Sequence, residues 1–314
     1  MRALIHSCLR AGAAALLLAL PVSPAIGDEV DDSIDAPALP QLKVLGEGGF
    51  VYQGESDIDD GGNVQVFRYD LGVAGRTNLT DHLRWTNTFF FGVSDYDFDG
   101  GGFSSPDPWD TILTTRLGTK LTYALTPQWG ISAGGVFSFS PETGANWGDS
   151  FTGGGLVGVE YRHSDTFSAS LGLAVISQIE DDVTVAPSVG VVWLPAEHWT
   201  VRVGAVPASG GSSAAAEVSY RFADPVEVAL GVLYHQRRFR LDDSGVAPDG
   251  VGEDNNLPVR VRVGWNFTPQ LALNFLAGAV FGGEVRLEDE DGNRIAKSDY
   301  DPAAYLGLRL VGRF

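Results

Sequence analysis

Apolar and polar residues alternate with period two along most of the chain. Leu271, Leu273, Phe275, Ala277, Ala279 and Phe281 mark one such run, and Val259, Val261, Val263 and Trp265 a second. Val226, Val228, Leu230 and Val232 mark a third. Side chains on an extended strand point to opposite faces in turn, so each run predicts a strand with one wholly apolar face. The last ten residues follow the same rule. Leu306, Leu308, Leu310 and Phe314 fall on one side, and Tyr305, Gly307, Arg309 and Arg313 on the other.

Between the strands a short turn recurs. Residues 124–129 (Ala-Leu-Thr-Pro-Gln-Trp) match residues 266–271 (Asn-Phe-Thr-Pro-Gln-Leu), and looser copies lie at 78–83, 161–167, 194–199 and 222–226. Each sets Pro, Asp or Ser between apolar residues, which is turn chemistry. Six short turns, with a first and a last strand, give about 14 strands, with 12 or 16 as neighbouring even counts. The approximate strands are 43–53, 64–76, 82–94, 111–124, 128–140, 152–162, 166–178, 184–194, 198–206, 212–222, 226–240, 257–267, 270–286 and 303–314. The long acidic loops alternate with the short turns. Trp85, Trp129, Trp193, Trp199 and Trp265 all lie within a few residues of a short turn, as an interfacial aromatic girdle requires. A soluble β-sandwich would bury its tryptophans and use shorter strands. The predicted fold is all-β: one antiparallel up-and-down transmembrane barrel over residues 43–314, oily outside and polar inside.

The chain stops on Phe314 at the end of an amphipathic strand. In this it resembles bacterial outer-membrane β-barrel proteins of the porin-like kind, within which the narrower likeness is to barrels of unknown function. That resemblance implies residence in the outer membrane of a Gram-negative-type bacterium. It also implies contact with outer-membrane lipids and lipopolysaccharide, and recognition of Phe314 by the barrel-insertion machinery. A monomer is expected.

The N-terminus agrees with export. Arg2 and Arg10 flank an apolar run at residues 11–20, too short to span a bilayer, and Ala25, Ile26 and Gly27 offer small cleavage positions. Residues 1–27 read as a signal peptide and 28–42 as a flexible periplasmic segment, which could instead fold into the lumen. Cys8, the only cysteine, lies inside the signal, so no disulfide or thiolate site is expected in the mature chain. With 21 Lys+Arg against 40 Asp+Glu and a net charge of −19, nucleic acid is not an expected partner.

Strand parity turns charged residues inward. Arg68, Arg84, Arg116, Arg202, Arg221, Arg260, Arg262 and Arg309 are the candidate lumen-lining and selectivity residues, accompanied by Asp70, Glu160, Glu217, Glu227, His235 and Arg237. On the lipid face such charges would cost about 2–4 kcal/mol each near the midplane. A row of arginines facing water favours anions in a pore; cross-lumen pairing with carboxylates would instead close it. Small inward residues, among them Gly130, Ser132, Gly134, Ser170 and Gly190, leave space in one sector. The leading expectation is a passive channel for small polar or anionic solutes. The alternative is a closed structural or surface-interaction barrel with cation-binding acidic loops.

Asp95, Asp97 and Asp99, with Gly100, have the spacing that opens a calcium loop, so Ca2+ in an outer loop is a candidate; no other cofactor is expected. Pro106 stands where the bidentate Glu of such a loop belongs. Gly130-Ile131-Ser132-Ala133-Gly134 fits G-x-S-x-G by letter but lies within an alternating strand, where no elbow exposes the serine. No base and nucleophile are paired in the sequence, so a barrel hydrolase ranks last and no catalytic residue is named.

Overall fold

A computed structural model describes residues 42–204, 212–223 and 225–314. The signal peptide, the lead-in up to residue 41 and the small-residue loop at 207–211 lie outside the described residues. The strands are β1 (Leu42–Asp57), β2 (Asn63–Asn78), β3 (Leu83–Asp99), β4 (Thr111–Ala124), β5 (Trp129–Phe139), β6 (Phe151–Ser164), β7 (Phe167–Gln178) and β8 (Asp181–Ala196). They continue as β9 (Trp199–Gly204), β10 (Ser212–Ala223), β11 (Val226–Arg240), β12 (Val251–Asn266), β13 (Leu271–Glu288), β14 (Arg294–Tyr300) and β15 (Ala303–Arg313).

From β2 to β14 each strand pairs antiparallel with the one before it, and β15 pairs with β13 and returns to β1, from Leu45↔Arg313 to Gln53↔Tyr305. The terminal residue completes the seam, where Phe314 and Val44 exchange backbone hydrogen bonds of 2.8 and 2.6 Å. β14 pairs with β13 residues 283–288 and β15 with β13 residues 271–280, so the two pieces share one place in the wall. The barrel is therefore closed and has 14 wall positions, as the alternation predicts.

The exterior is apolar. Trp85, Trp129, Trp193, Trp199 and Trp265 are 41–49% exposed, and Val261 and Leu306 are 43% and 55% exposed. A sandwich would have buried them. The repeated short turn has one geometry: Thr80 Oγ1 accepts from the amides of His82 and Leu83, at 3.3 and 3.0 Å. Thr126 does the same for Gln128 and Trp129, and Thr268 for Gln270 and Leu271. The hydroxyl mimics a backbone acceptor and fixes the turn, which is why this residue recurs.

Several strands outrun the membrane, and there the sequence expectations need correction. The acidic stretch beginning at Asp95 is not loop: β3 continues to Asp99. Residues 288–301 are not loop throughout, since β14 occupies Arg294–Tyr300. β12 begins at Val251, so Asp254 belongs to a strand. In these extensions the two faces exchange chemistry. Lower on β3, Phe89 and Phe91 point outward; four residues beyond, at the same parity, Asp95, Asp97 and Asp99 are exposed while Tyr96 and Phe98 are buried inside. On β13 a bulge carries the exchange. Gly282 adopts φ +57°, and beyond it Val285 and Leu287 turn inward while Glu284 and Arg286 face out.

The extensions enclose a dry core. Val51, Val64, Val66, Tyr96, Phe98, Phe239, Leu241, Val285, Leu287 and Tyr300 form it, with Trp109 folded in from the β3–β4 loop. Trp109 meets Tyr96, Phe98 and Phe239 edge-on, at centroid distances of 5.8, 5.3 and 5.2 Å. Wall strands even pair across the mouth. Arg240, at the end of β11, bridges Pro141 beyond β5, although β5 and β11 stand six wall positions apart. The amide of Arg240 donates to Ser140 at 2.9 Å, and that of Glu142 to Arg240 at 2.7 Å.

Candidate functional site

The bore contains two kinds of polar network. Beneath the aromatic core, Asp254 on β12 accepts from Arg68 Nη2 at 2.9 Å, Arg237 Nη1 at 3.1 Å, Tyr96 Oη at 2.9 Å, Tyr300 Oη at 2.9 Å and Asn256 Nδ2 at 3.1 Å. Gln53 holds Arg68 Nη1 at 3.2 Å. The three charged residues are 1–5% exposed. Their strands stand apart on the ring: β2 is four positions from β12 and five from β11, and β3 is five from β12. Side chains cannot reach that far around a wall, so these bonds run across the bore. A single carboxylate thus ties opposite walls together, and two arginines justify its burial.

The lower bore is different. Arg309 on β15 pairs with Glu47 on β1 at 3.3 Å and with Asp70 on β2 at 2.8 Å. Arg262 on β12 pairs with Glu217 on β10 and Glu227 on β11, each at 2.7 Å, and donates to Asn274 on β13 at 3.2 Å. Lys120 on β4 reaches Glu160 on β6 at 3.0 Å. Every one of these partners is one or two wall positions away. Such pairs lie along the wall and do not bridge the bore.

The eight candidate arginines therefore separate. Arg68 does not line an open bore: it is 2% exposed, inside the cross-bore network, because parity gives its direction but not what lies opposite. Arg262 and Arg309 line the lower bore with their charge compensated. Arg116 lies over the Phe90 ring at 5.9 Å, and Arg202 Nη1 donates to Ser219 Oγ at 3.4 Å. Arg84 and Arg221 are half-buried on the inner face. Arg260 is 9% exposed and its Nε has no acceptor.

The calcium candidate is corrected. Asp95, Asp97 and Asp99 alternate on the outer face of one strand, where carboxylates are spread along the chain instead of converging. Each binds locally, to Thr111 at 3.1 Å, Gln65 at 2.5 Å and the amide of Gly100 at 2.7 Å. Among the described residues no group of three or more His, Cys, Asp or Glu side chains could hold a metal ion. Ser132 sits mid-strand opposite Thr122 and Gly158, away from any elbow.

Asp254, Asn256, Tyr96, Tyr300 and Trp109 are absent from the sequence-derived set. The alternation did contain the first two, since Arg262, Arg260, Pro258, Asn256 and Asp254 share one parity and all face inward. The polar run Glu253-Asp254-Asn255-Asn256, ahead of the predicted strand at 257–267, reads as a loop instead.

Three contacts latch the loops. Glu142 accepts from the amides of Asp110 at 2.7 Å and Asp242 at 3.0 Å, so it joins the β3–β4, β5–β6 and β11–β12 loops. Burial pushes its carboxyl above the ordinary range, and the charges of Asp242 and Asp110 add to this, against the two amide bonds. Arg238 donates to the carbonyls of Ile179 and Glu180, and Arg240 pairs with Glu180. Glu180 sits at φ +45° in the two-residue turn between β7 and β8, a strained conformation for a side chain of its size.

No protein-family model matches the chain, and no curated protein matches it in sequence. Solved structures do match in shape. An outer membrane channel from Pseudomonas putida F1 is 15% identical, with a TM-score of 0.46, and the match covers 91% of this chain and 100% of that one. The P. putida toluene transporter TodX is 10% identical, with a TM-score of 0.47 and coverage of 89% and 91%. A Pseudomonas aeruginosa FadL homologue is 11% identical, with a TM-score of 0.46 and coverage of 87% and 89%. The closed wall, apolar exterior and paired termini make this chain an outer-membrane-type β-barrel.

Proposed function

We propose that the protein is an outer-membrane channel for small anionic solutes, held shut in this conformation by the network around Asp254. The observation that carries the proposal is the contrast in pairing. Below the network the ion pairs of Arg309, Arg262 and Lys120 follow the wall, and arginines outnumber carboxylates on the inner face. A water-filled vestibule with a basic lining concentrates anions and repels cations. The seal lies where the strands have left the bilayer, so it can loosen without exposing polar groups to lipid. Export, residence in a Gram-negative outer membrane and recognition of Phe314 by the insertion machinery belong to the same proposal, supported by the exposed terminal phenylalanine on the closing strand.

Tyr96→Ala removes a ring and a hydroxyl from the seal without changing charge. In planar bilayers under a potassium chloride gradient, that variant should pass current that reverses near the chloride potential. Reversal near the potassium potential contradicts the anion assignment. The second reading, a closed surface barrel, is favoured by the seal itself, and a silent Tyr96→Ala protein would support it.

A further inference from the structure

We propose that the bore holds a binding site for one small oxyanion, of carboxylate or phosphate size, anchored on Arg260 just below the seal. This rests on the channel reading for its biological sense but stands on its own geometry. Arg260 is nine-tenths buried, and among the described residues it has neither a hydrogen bond nor an ion pair. A buried guanidinium without an acceptor is costly, and it persists where something else supplies the negative charge. The charge of Glu217 acts on it through space, but the bonds of the nearby carboxylates go elsewhere. Glu217 holds Arg262 through both oxygens, at 2.7 and 3.3 Å, and Asp254 above is saturated by its own donors.

A second donor points the same way. His235, 3% exposed, accepts from Arg237 Nη2 through Nδ1 at 2.5 Å. A neutral imidazole that accepts at Nδ1 carries its proton at Nε2, and Nε2 has no partner. The charges that act on this ring most strongly are Arg237, Arg68, Arg260 and Arg309, all cationic. Arg260 faces a stretch of wall left bare by glycine. Gly231 and Gly278 flank Arg260 on the neighbouring strands. A Cβ at Gly278 would fall 2.0 Å from the Val259 carbonyl, so no other residue fits there, whereas at Gly231 it would make only ordinary contacts of 3.5 Å or more. The Gly231 position could carry a side chain and carries none, and the stem of Glu217 borders the space there, at 3.6 Å. The guanidinium supplies the forked donors that suit an oxyanion, and His235 adds a donor four residues further along the neighbouring strand.

The test is calorimetric titration of the purified full-length protein with inorganic phosphate and, separately, with acetate. Wild type should bind at least one of them, Arg260→Gln should bind at least tenfold more weakly, and Arg260→Lys should stay within a few-fold of wild type. Lys297 pairs with Glu284 on the outer face of the extension, and Lys297→Gln should bind as wild type does. Thermal unfolding supplies the second readout. Loss of a buried charge that bonds to no carboxylate should leave the melting temperature of Arg260→Gln unchanged or raised in anion-free buffer. A clear fall there would mean that Arg260 has a protein partner, and it would overturn the proposal. So would equal anion binding by wild type and Arg260→Gln, or no binding by wild type. Binding by wild type together with a silent Tyr96→Ala protein would sink the channel reading and leave the site standing; conductance by Tyr96→Ala without binding would do the reverse.

Discussion

Two halves of the same strands obey opposite rules. In the lower half of β3 and β13, apolar side chains such as Phe89, Phe91, Phe275 and Phe281 face out toward lipid, and Arg84, Thr86, Thr88 and Asn274 face in. In the upper half the outward residues are Asp95, Asp97, Asp99, Glu284 and Arg286, and the inward ones are Tyr96, Phe98, Val285 and Leu287. Burial still drives the assembly, but the dry side has moved from the exterior to the interior. The ion pairs change with it. Below, Arg262 and Arg309 find carboxylates along the wall; above, Asp254 is held from strands four and five positions away. The difference shows that one barrel can be both a membrane wall and, beyond the bilayer, a packed soluble domain that closes it.

The largest effect should follow from breaking the upper half at its centre. Asp254→Ala leaves Arg68 and Arg237 buried without their carboxylate and should destabilise the extension by about 3–5 kcal/mol, as read by urea unfolding in detergent. The same protein with Arg262→Gln should lose only about 1–3 kcal/mol, because the lower network is closer to water and its carboxylates can be rehydrated. Equal losses would erase the distinction between the halves.

A pair of phenylalanines sharpens it. Phe98→Ala opens a cavity in the dry core and should cost about 3–5 kcal/mol. Phe91→Ala, outward and lipid-facing on the same strand, leaves a gap that acyl chains fill, and should cost less than about 1 kcal/mol. A reversed order would place the lipid boundary wrongly.

The smallest effect concerns pH. Glu142 is held above the ordinary carboxyl range by burial, so its protonated form is favoured in the folded loops. Its contribution is fully present below the unfolded value and is lost as pH rises through the folded one. Protection of the Asp110 and Asp242 amides from hydrogen exchange, corrected for intrinsic rates, should fall over that window. Glu142→Gln should flatten the profile.

The membrane part of the fold was legible because lipid imposes a strict alternation. Turn chemistry was legible too, through Thr80, Thr126 and Thr268. The extension was not, since alternating Asp and aromatic residues at 95–99 resemble a loop to anyone expecting an oily outer face. The polar run at 253–256 and the bulge at Gly282 hid the rest by interrupting the pattern at the exit from the bilayer. The direction of each arginine could be read from parity. Which of them meets a carboxylate across the bore depends on how far the walls approach, and that is a property of the closed mouth rather than of any one strand.

The central claim is that opposite walls are joined through Asp254 and not through the pairs below it. Single-channel recording in planar bilayers tests it most directly. Wild type should be silent or nearly so, Asp254→Ala should open a steady conductance, and Arg262→Gln should remain as quiet as wild type. A wild-type protein that conducts freely, or an Asp254→Ala protein that stays silent, would contradict the account.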